Sequence, residues 1–412
     1  MSKSILITLI LTLLIAGCSS SNNDSEPTPE SNSTLIPGPG GREEIVIPDA
    51  PEWIEARDVI TLENIPQARY IGRLDASGTV STVFSFALSP DSTILAGLNN
   101  TSVILWDMIT GEQQFSIGRE GAVEIVYSSE GSELYTIDSE GTVRVYDGRN
   151  GRFANDFRAI TDFSGALDHD ANRDLLAVGN TQGEVKVWDT FERLSLATIQ
   201  TDVGEIRDLA LSADGTTLVV AGRVGAVEIW DWEDRERLTS FDIPPILISQ
   251  IAISPDNTLL AVGLPDVVNI YTMDSYELRY EFRSGGDDGV ANDVLKFSPD
   301  GQYLVHGGLM PDMLIWNVET GERVAVLPSV GADRVSAAFS PDSDMLITTV
   351  LDGTVSVWDL TSVTDEAIVS AGLDVQTNRI IFVEWSDDGF VMLFFDAVGP
   401  IYVWGISATP SD

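Results

Sequence analysis

The sequence predicts an all-β protein made of eight short repeats, and three observations carry that expectation. First, a tetrapeptide with the composition of a tight turn recurs: Ser89-Pro90-Asp91-Ser92, Ser128-Ser129-Glu130-Gly131, Asp168-His169-Asp170-Ala171, Ser212-Ala213-Asp214-Gly215, Ser254-Pro255-Asp256-Asn257, Ser298-Pro299-Asp300-Gly301, Ser340-Pro341-Asp342-Ser343 and Ser386-Asp387-Asp388-Gly389. Second, an aromatic residue follows each turn 17 to 20 positions later: Trp106, Tyr146, Trp188, Trp230, Tyr271, Trp316, Trp358 and Trp404. Third, successive anchors lie 40 to 46 residues apart, with short apolar runs and turn residues between them.

The turns come first in each unit. Ser at the first position caps the backbone, Pro at the second presets φ, and Gly at the fourth accepts the conformation that closes a type I turn. Runs such as Leu175 to Val178, followed by a Gly-containing turn and by alternation like Val355-Ser356-Val357-Trp358, have the length and β-branched content of strands. A further short strand follows each of the first seven anchors, as at residues 277–282 and 322–327. Each unit therefore has four strands. A sheet of that size is not stable alone and must stack on its neighbours.

These residues resemble the WD-repeat (WD40) β-propeller family, whose blade is a four-stranded sheet ending its third strand in Trp-Asp. Trp106-Asp107, Trp188-Asp189, Trp230-Asp231 and Trp358-Asp359 match outright, and Tyr146-Asp147 and Trp316-Asn317 are close. The resemblance spans residues 67–405 and implies an eight-bladed propeller of four-stranded antiparallel blades, with the eight aromatic anchors as structural residues. Only a short polar tail, 406–412, follows Trp404, so Ala68 to Leu74 is the simplest source of the last blade's fourth strand. Such a closure removes a sheet edge. Seven blades is the alternative, with the fifth or eighth unit displaced. The family's usual Asp six residues before the anchor is present only as Asp352; the other copies carry Asn100, Glu140, Gln182, Val224, Pro265, Met310 and Val398. With only His169 and His306 in the chain, the family's His-mediated network is absent as well.

Ahead of the repeats, Lys3, an apolar run from Ile5 to Ile15 and the sequence Ile15-Ala16-Gly17-Cys18 read as a signal peptide over 1–17, because eleven apolar residues are too few to span a bilayer. The ending resembles the lipobox of bacterial lipoproteins, which implies cleavage before Cys18 and lipidation of that residue. Cys18 is the only cysteine, so the remainder of the chain can form no internal disulfide. Residues 18–45 are rich in Ser, Asn, Pro, Gly and Glu and read as a disordered tether. A coil of about that length averages roughly 25 to 30 Å end to end. Residues 46–66 form a lead-in.

Charge excludes several functions. The chain carries 64 acidic and 23 basic side chains, a formal charge of -41. Nucleic acid demands the opposite field. Anionic lipid headgroups are repelled too, so membrane contact is expected through the lipid anchor only. A Ser-His-acid hydrolase needs a positioned base; His169 reads instead as a surface turn residue and His306 as a strand residue equivalent to Val178 and Val262. No phosphate-binding loop and no zinc cluster is present in the sequence. Calcium is the one metal with candidate oxygens, at Asp168, Asp170, Asn172 and Asp174 and at Asp287-Asp288, but neither stretch has EF-hand spacing. No cofactor is expected.

What remains is a surface for proteins. In a propeller the turns between second and third strands share a face with the links between blades. Arg223-Val224, Leu264-Pro265 and Met310-Pro311 fall there in blades four to six, with Pro244-Pro245 entering between blades four and five. An apolar cluster rimmed by charge suits a partner protein. The expectation is a monomeric, non-catalytic binding platform anchored in the cell envelope, in the cell membrane or the outer membrane and facing periplasm or exterior. One alternative is an envelope-assembly scaffold similar to the outer-membrane β-barrel assembly lipoprotein, although that family's repeat signature is not found here. The other is a propeller enzyme, a hydrolase or quinoprotein.

Overall fold

The structure, a computed structural model, describes residues 58–406 apart from 76–81, 171–172, 266, 284–291, 309–311, 329–333, 351–352, 363–368, 374–379 and 398. Cys18, the signal and tether segments, Met310-Pro311, Asp287-Asp288 and Asp352 lie outside the described residues, as do the side chains of Pro244 and Pro245.

Among the described residues, thirty-two strands, β1–β32 in chain order, form eight separate four-stranded antiparallel sheets. Seven blades are consecutive in sequence, spanning 85–118, 122–158, 163–200, 206–247, 250–283, 292–328 and 334–373. The eighth takes β30 (Ile380–Trp385), β31 (Val391–Asp396) and β32 (Ile401–Gly405) and adds β1 (Arg69–Leu74) as its outer strand. Arg69 pairs with Gly405 and Leu74 with Ile401, so the N-terminal strand closes the ring as expected, and the count is eight. The lead-in reinforces that seam. Asp58 bridges Ile406, Ile60 N–H bonds Gly389 O at 2.9 Å, and Ile60 and Ile65 are buried among residues of blades seven and eight.

The first strands of neighbouring blades pack on each other at most of the boundaries, as between blades three and four and between seven and eight. The hydrophobic core is correspondingly distributed. One cluster joins blades three and four around Val187, Ile206 and Leu218, another joins four and five around Ile229, Ile251 and Leu260, and the seam between eight, one and two is filled by Phe86, Leu105 and Phe395. Phe86 stacks on Phe395 with ring centroids 4.1 Å apart. Blades are thus bonded internally by backbone and to each other by apolar side chains together with a few side chain-to-backbone hydrogen bonds.

The repeated phrases have a common mechanical explanation. In blades one, four, five, six and seven, the turn Ser hydroxyl donates to the turn Asp (Ser89–Asp91, Ser212–Asp214, Ser254–Asp256, Ser298–Asp300, Ser340–Asp342; 2.5 to 2.7 Å). The same hydroxyl accepts the N–H five residues on, at 2.9 Å. The fourth turn position has a left-handed backbone, with φ of 75° at Gly301 and 73° at Gly215, which is why Gly or Asn recurs there. An Asp or Asn directly after the anchor caps the next turn: Asp107 Oδ1 accepts Ile109 and Thr110 N–H, and Asn317 Oδ1 accepts Glu319 and Thr320 N–H. The job of the missing Asp before the anchor is done one or two residues earlier, by Asn99, Asp138 and Asn180, each of which accepts two backbone N–H groups of its turn.

Blade three departs from the expected turn. Its first strand β10 (Phe163–Asp170) runs on through Asp168 and His169, and Asp170 pairs with Leu175, so the turn begins two residues later than expected. His169 is therefore a half-buried strand residue and not a surface turn residue. The stretch has the turn composition, but its alternation continues the strand, and strand pairing prevails.

Candidate functional site

Two faces can be defined. Turns between first and second and between third and fourth strands lie on one, the turn face; turns between second and third strands and the links between blades lie on the other, the link face. The chain's described residues begin on the turn face, since Ile60 bonds the first turn of blade eight at Gly389.

On the link face blade four is distinctive. Its third strand β16 (Val224–Asp231) and outer strand β17 (Glu236–Leu247) form a hairpin in which β17 runs twelve residues, against five to seven in the other outer strands. Val224 pairs with Leu247 at its tip. The paired Val224 and Leu247 are 49% and 57% exposed, and Ile246, next to Leu247 in the strand, is 41% exposed, an apolar corner at the hairpin tip. Arg223, exposed beside it, bonds Glu205 at 3.0 Å. β17 is outermost in its sheet, so its far edge has no strand beside it within the blade.

A buried charge network holds the base of this hairpin. Glu228, 3% exposed at its side chain, accepts Arg237 Nη1 at 3.0 Å, Asp202 N–H at 3.1 Å and Trp230 Nε1–H at 2.9 Å. Arg237 also reaches Asp202 at 2.7 Å. Every partner of the buried carboxylate is a donor, which is what makes its burial tolerable.

Of the expected contact residues, Arg223 and Val224 are exposed together on this corner. Leu264 is not available: it is 4% exposed and packs into the core between blades four and five, because its N–H closes the turn on Val267 O and turns the side chain inward. Pro265 is half-buried. Pro244 and Pro245 lie within β17 and not in a link between blades; an outer strand can hold Pro because its outward N–H groups have no ladder partner to lose. Ile246 and Leu247 are not among the expected contact residues, because Pro244-Pro245 were expected between blades four and five and not inside a strand.

The anchors Trp106, Tyr146, Trp188, Trp230, Tyr271, Trp316, Trp358 and Trp404 all lie in third strands. Their indole partners differ: Trp106 donates to Asp75 O, Trp188 to Ala159 O and Trp358 to Thr348 Oγ1. His306, 1% exposed in β23 (Tyr303–Gly308), sits 6.2 Å from the Trp316 ring, and burial pushes its pKa down to about 4. It is neutral at ordinary pH. Among the described residues, no three His, Cys, Asp or Glu side chains are grouped to hold a metal.

Sequence comparison agrees with this architecture. The chain matches the family model "Anaphase-promoting complex subunit 4 WD40 domain" over residues 167–251 and "WD domain, G-beta repeat" over 322–359, which supports a WD40 relationship. It is 38% identical over 92 residues to WD repeat, SAM and U-box domain-containing protein 1 of Danio rerio, covering 22% of this chain and 18% of that one. It is 28% identical to small ribosomal subunit protein RACK1 of Medicago sativa, covering 29% and 41%, and 30% identical to transducin-like enhancer protein 2 of Mus musculus, covering 34% and 19%. The matched stretches thus span less than half of any of these relatives. Among solved structures, the C-terminal WD40 domain of Sif2 superposes with TM-score 0.66 at 16% identity, covering 83% of this chain and 99% of that one. The computationally designed Ika8 protein gives TM-score 0.65 at 18% identity, covering 81% and 99%. At those identities the likeness concerns the fold.

Proposed function

We propose that this chain is a lipid-anchored, non-catalytic platform that binds a partner protein at the apolar corner of blade four. The observation that carries the reading is the paired exposure of Val224 and Leu247, with Ile246 beside them, on an acidic chain whose hairpin is lengthened at that place alone among the described blades. Exposed apolar clusters with a charged border are surfaces that partners cover. The names of matched proteins support the same class of role, since one is a small ribosomal subunit protein and a matched family model is a subunit of the anaphase-promoting complex.

Anchoring rests on the lipobox at Cys18 and the polar tether that follows it. It is consistent with the two faces: the described chain starts on the turn face, and the corner lies on the other. A platform tied at one face would present its contact surface away from the membrane. Two separate measurements test the two halves. Cys18→Ala should abolish labelling by radioactive palmitate and release the chain to the soluble fraction; a variant that still sediments with membranes refutes the anchor. Val224→Asp with Leu247→Asp should eliminate a partner captured by the wild-type chain, while Phe191→Asp on the turn face should retain it. Equal capture by all three refutes the corner.

A further inference from the structure

The turn face carries a separate patch, which a comparison of the repeats with one another brings out. Three positions after each anchor lies the turn between third and fourth strands. Blades four to seven place Glu233, Asp274, Glu319 and Thr361 there, whereas blades one, two and three place Ile109, Arg149 and Phe191. Three positions further on, Glu112, Glu236, Glu277 and Glu322 recur, but blades two and three carry Arg152 and Leu194. In neighbouring blades, therefore, the acidic residue usual at these positions gives way to an apolar or a basic one.

The structure puts these side chains in solvent. Ile109, Phe153, Phe191 and Leu194 are 54%, 54%, 65% and 58% exposed, and Arg149 and Arg152 of blade two are exposed as well. Pairing of Phe153 with Tyr146 and of Leu194 with Asp189 holds both outer strands with these residues at the turn-face end. The three turns are joined into one rim because each rests on the blade before it. Gly151 of blade two lies so close to Ile117 of blade one that a Cβ there would come within 2.9 Å of it, and Arg193 of blade three bonds Glu133 of blade two at 2.6 Å.

Two observations identify what covers this rim. Its composition is that of a membrane-interface contact, in which rings and Leu side chains enter at headgroup level and guanidinium groups meet phosphate oxygens. Its position is on the face where the described chain begins, with Ile60 bonded to Gly389, and Cys18 stands forty residues ahead of Asp58. We infer that the turn-face rim of blades one to three lies against a zwitterionic phospholipid surface. The inference rests on the lipid-anchor reading for its direction, since an anchor on this side brings this face to the membrane. The formal charge of -41 repels anionic headgroups, which is why the surface is a zwitterionic one. Docked in this way, the propeller holds the corner of blade four on its far side.

The test uses the chain beginning at Ser19, which lacks the signal segment and the acylation site and keeps the ring closed by β1. It is floated with vesicles of phosphatidylcholine alone and of phosphatidylcholine mixed with phosphatidylglycerol. The chain is expected to partition onto the first at millimolar lipid and severalfold less onto the second. Phe153→Asp with Phe191→Asp should cut partition at least tenfold at an unchanged melting temperature, while Val224→Asp with Leu247→Asp should leave it as it was. Phe153 packs edge-on against Tyr146, with centroids 5.8 Å apart; if the pair lowers the melting temperature, Phe191→Asp alone should still cut partition severalfold. The inference is overturned if the chain does not float with phosphatidylcholine, if it prefers the anionic mixture, or if the folded rim variant floats as well as wild type. Loss of a captured protein by a rim variant that still floats would give the rim to a protein partner instead. No acyl chain is present, so the result is independent of palmitate labelling at Cys18 and the two readings fail separately.

Discussion

Asp208 and Ile251 are bolted together across the boundary between blades four and five: Oδ2 of the buried carboxyl accepts the Ile251 backbone N–H at 2.9 Å, and its Oδ1 accepts Leu209 N–H at 3.0 Å. Equivalent side chain-to-backbone bonds join blade one to two through Ser85 and Ile125, at 3.2 Å, and blade seven to eight through Ser336 and Val383, at 3.3 Å. Asp208 is the member of this set that can ionise.

Burial pushes the Asp208 carboxyl up to about 7, against the pull of its two backbone donors. A raised acid holds its proton more tightly when folded. Its contribution to stability is therefore present below the unfolded value near 3.8 and is lost as pH rises toward 7. Asp208→Asn removes the ionisation and keeps one of the two accepting oxygens, turning an amide NH2 toward the other backbone donor. Relative to wild type the variant should therefore gain melting temperature between pH 4 and pH 8, by the equivalent of a few kcal/mol at most. Parallel melting curves at both pH values would contradict this.

Removing Arg237 should loosen the candidate contact corner from a distance. Arg237→Met leaves the Glu228 carboxylate buried with only its neutral donors. Leaving a buried carboxylate without its cation is destabilising, and the exposure of Arg237 to solvent discounts that loss. Protease should then cut β17 faster than in wild type, and capture of the partner should weaken although no contact residue has changed.

Ser92 stands where five other turns have Gly or Asn, with φ of 55° and its hydroxyl buried and unbonded. A left-handed backbone costs a non-glycine residue about 1–2 kcal/mol, and part of that returns as chain entropy when Gly replaces it. Ser92→Gly should raise stability by about 0.5–1 kcal/mol in urea denaturation. Ser343→Gly should not, because the Ser343 hydroxyl accepts Asp300 N–H from the neighbouring blade at 3.0 Å.

Most of the architecture is legible in the sequence because repetition averages away local ambiguity. The Ser-Pro-Asp turn and the Trp-Asp pair mark strand ends through hydrogen bonds made within a few residues, and those are visible in one dimension. What escaped depends on neighbours. Asp168-His169 has the composition of a turn but is drawn into β10, where Asp168 finds its partner in the next blade at Leu211. Leu264 and Val224 both sit at link-face turns, yet one closes its turn inward and the other outward, and no pattern of residue types distinguishes them. The prolines of β17 read as a break because a Pro signals one in isolation; only the strand's outermost place in the sheet makes them harmless.

The closing strand also determines how the ring answers to load. β1 begins on the turn face, beside Asp58 and Ile406, and runs along the blade toward the link face. A pull on the preceding chain, directed away from the turn face, acts along the strand axis. The hydrogen bonds between Arg69–Leu74 and β32 are then strained side by side and must fail together, instead of peeling one after another. A propeller closed by its first strand is in this way stiffest in the direction in which a tether would tug it.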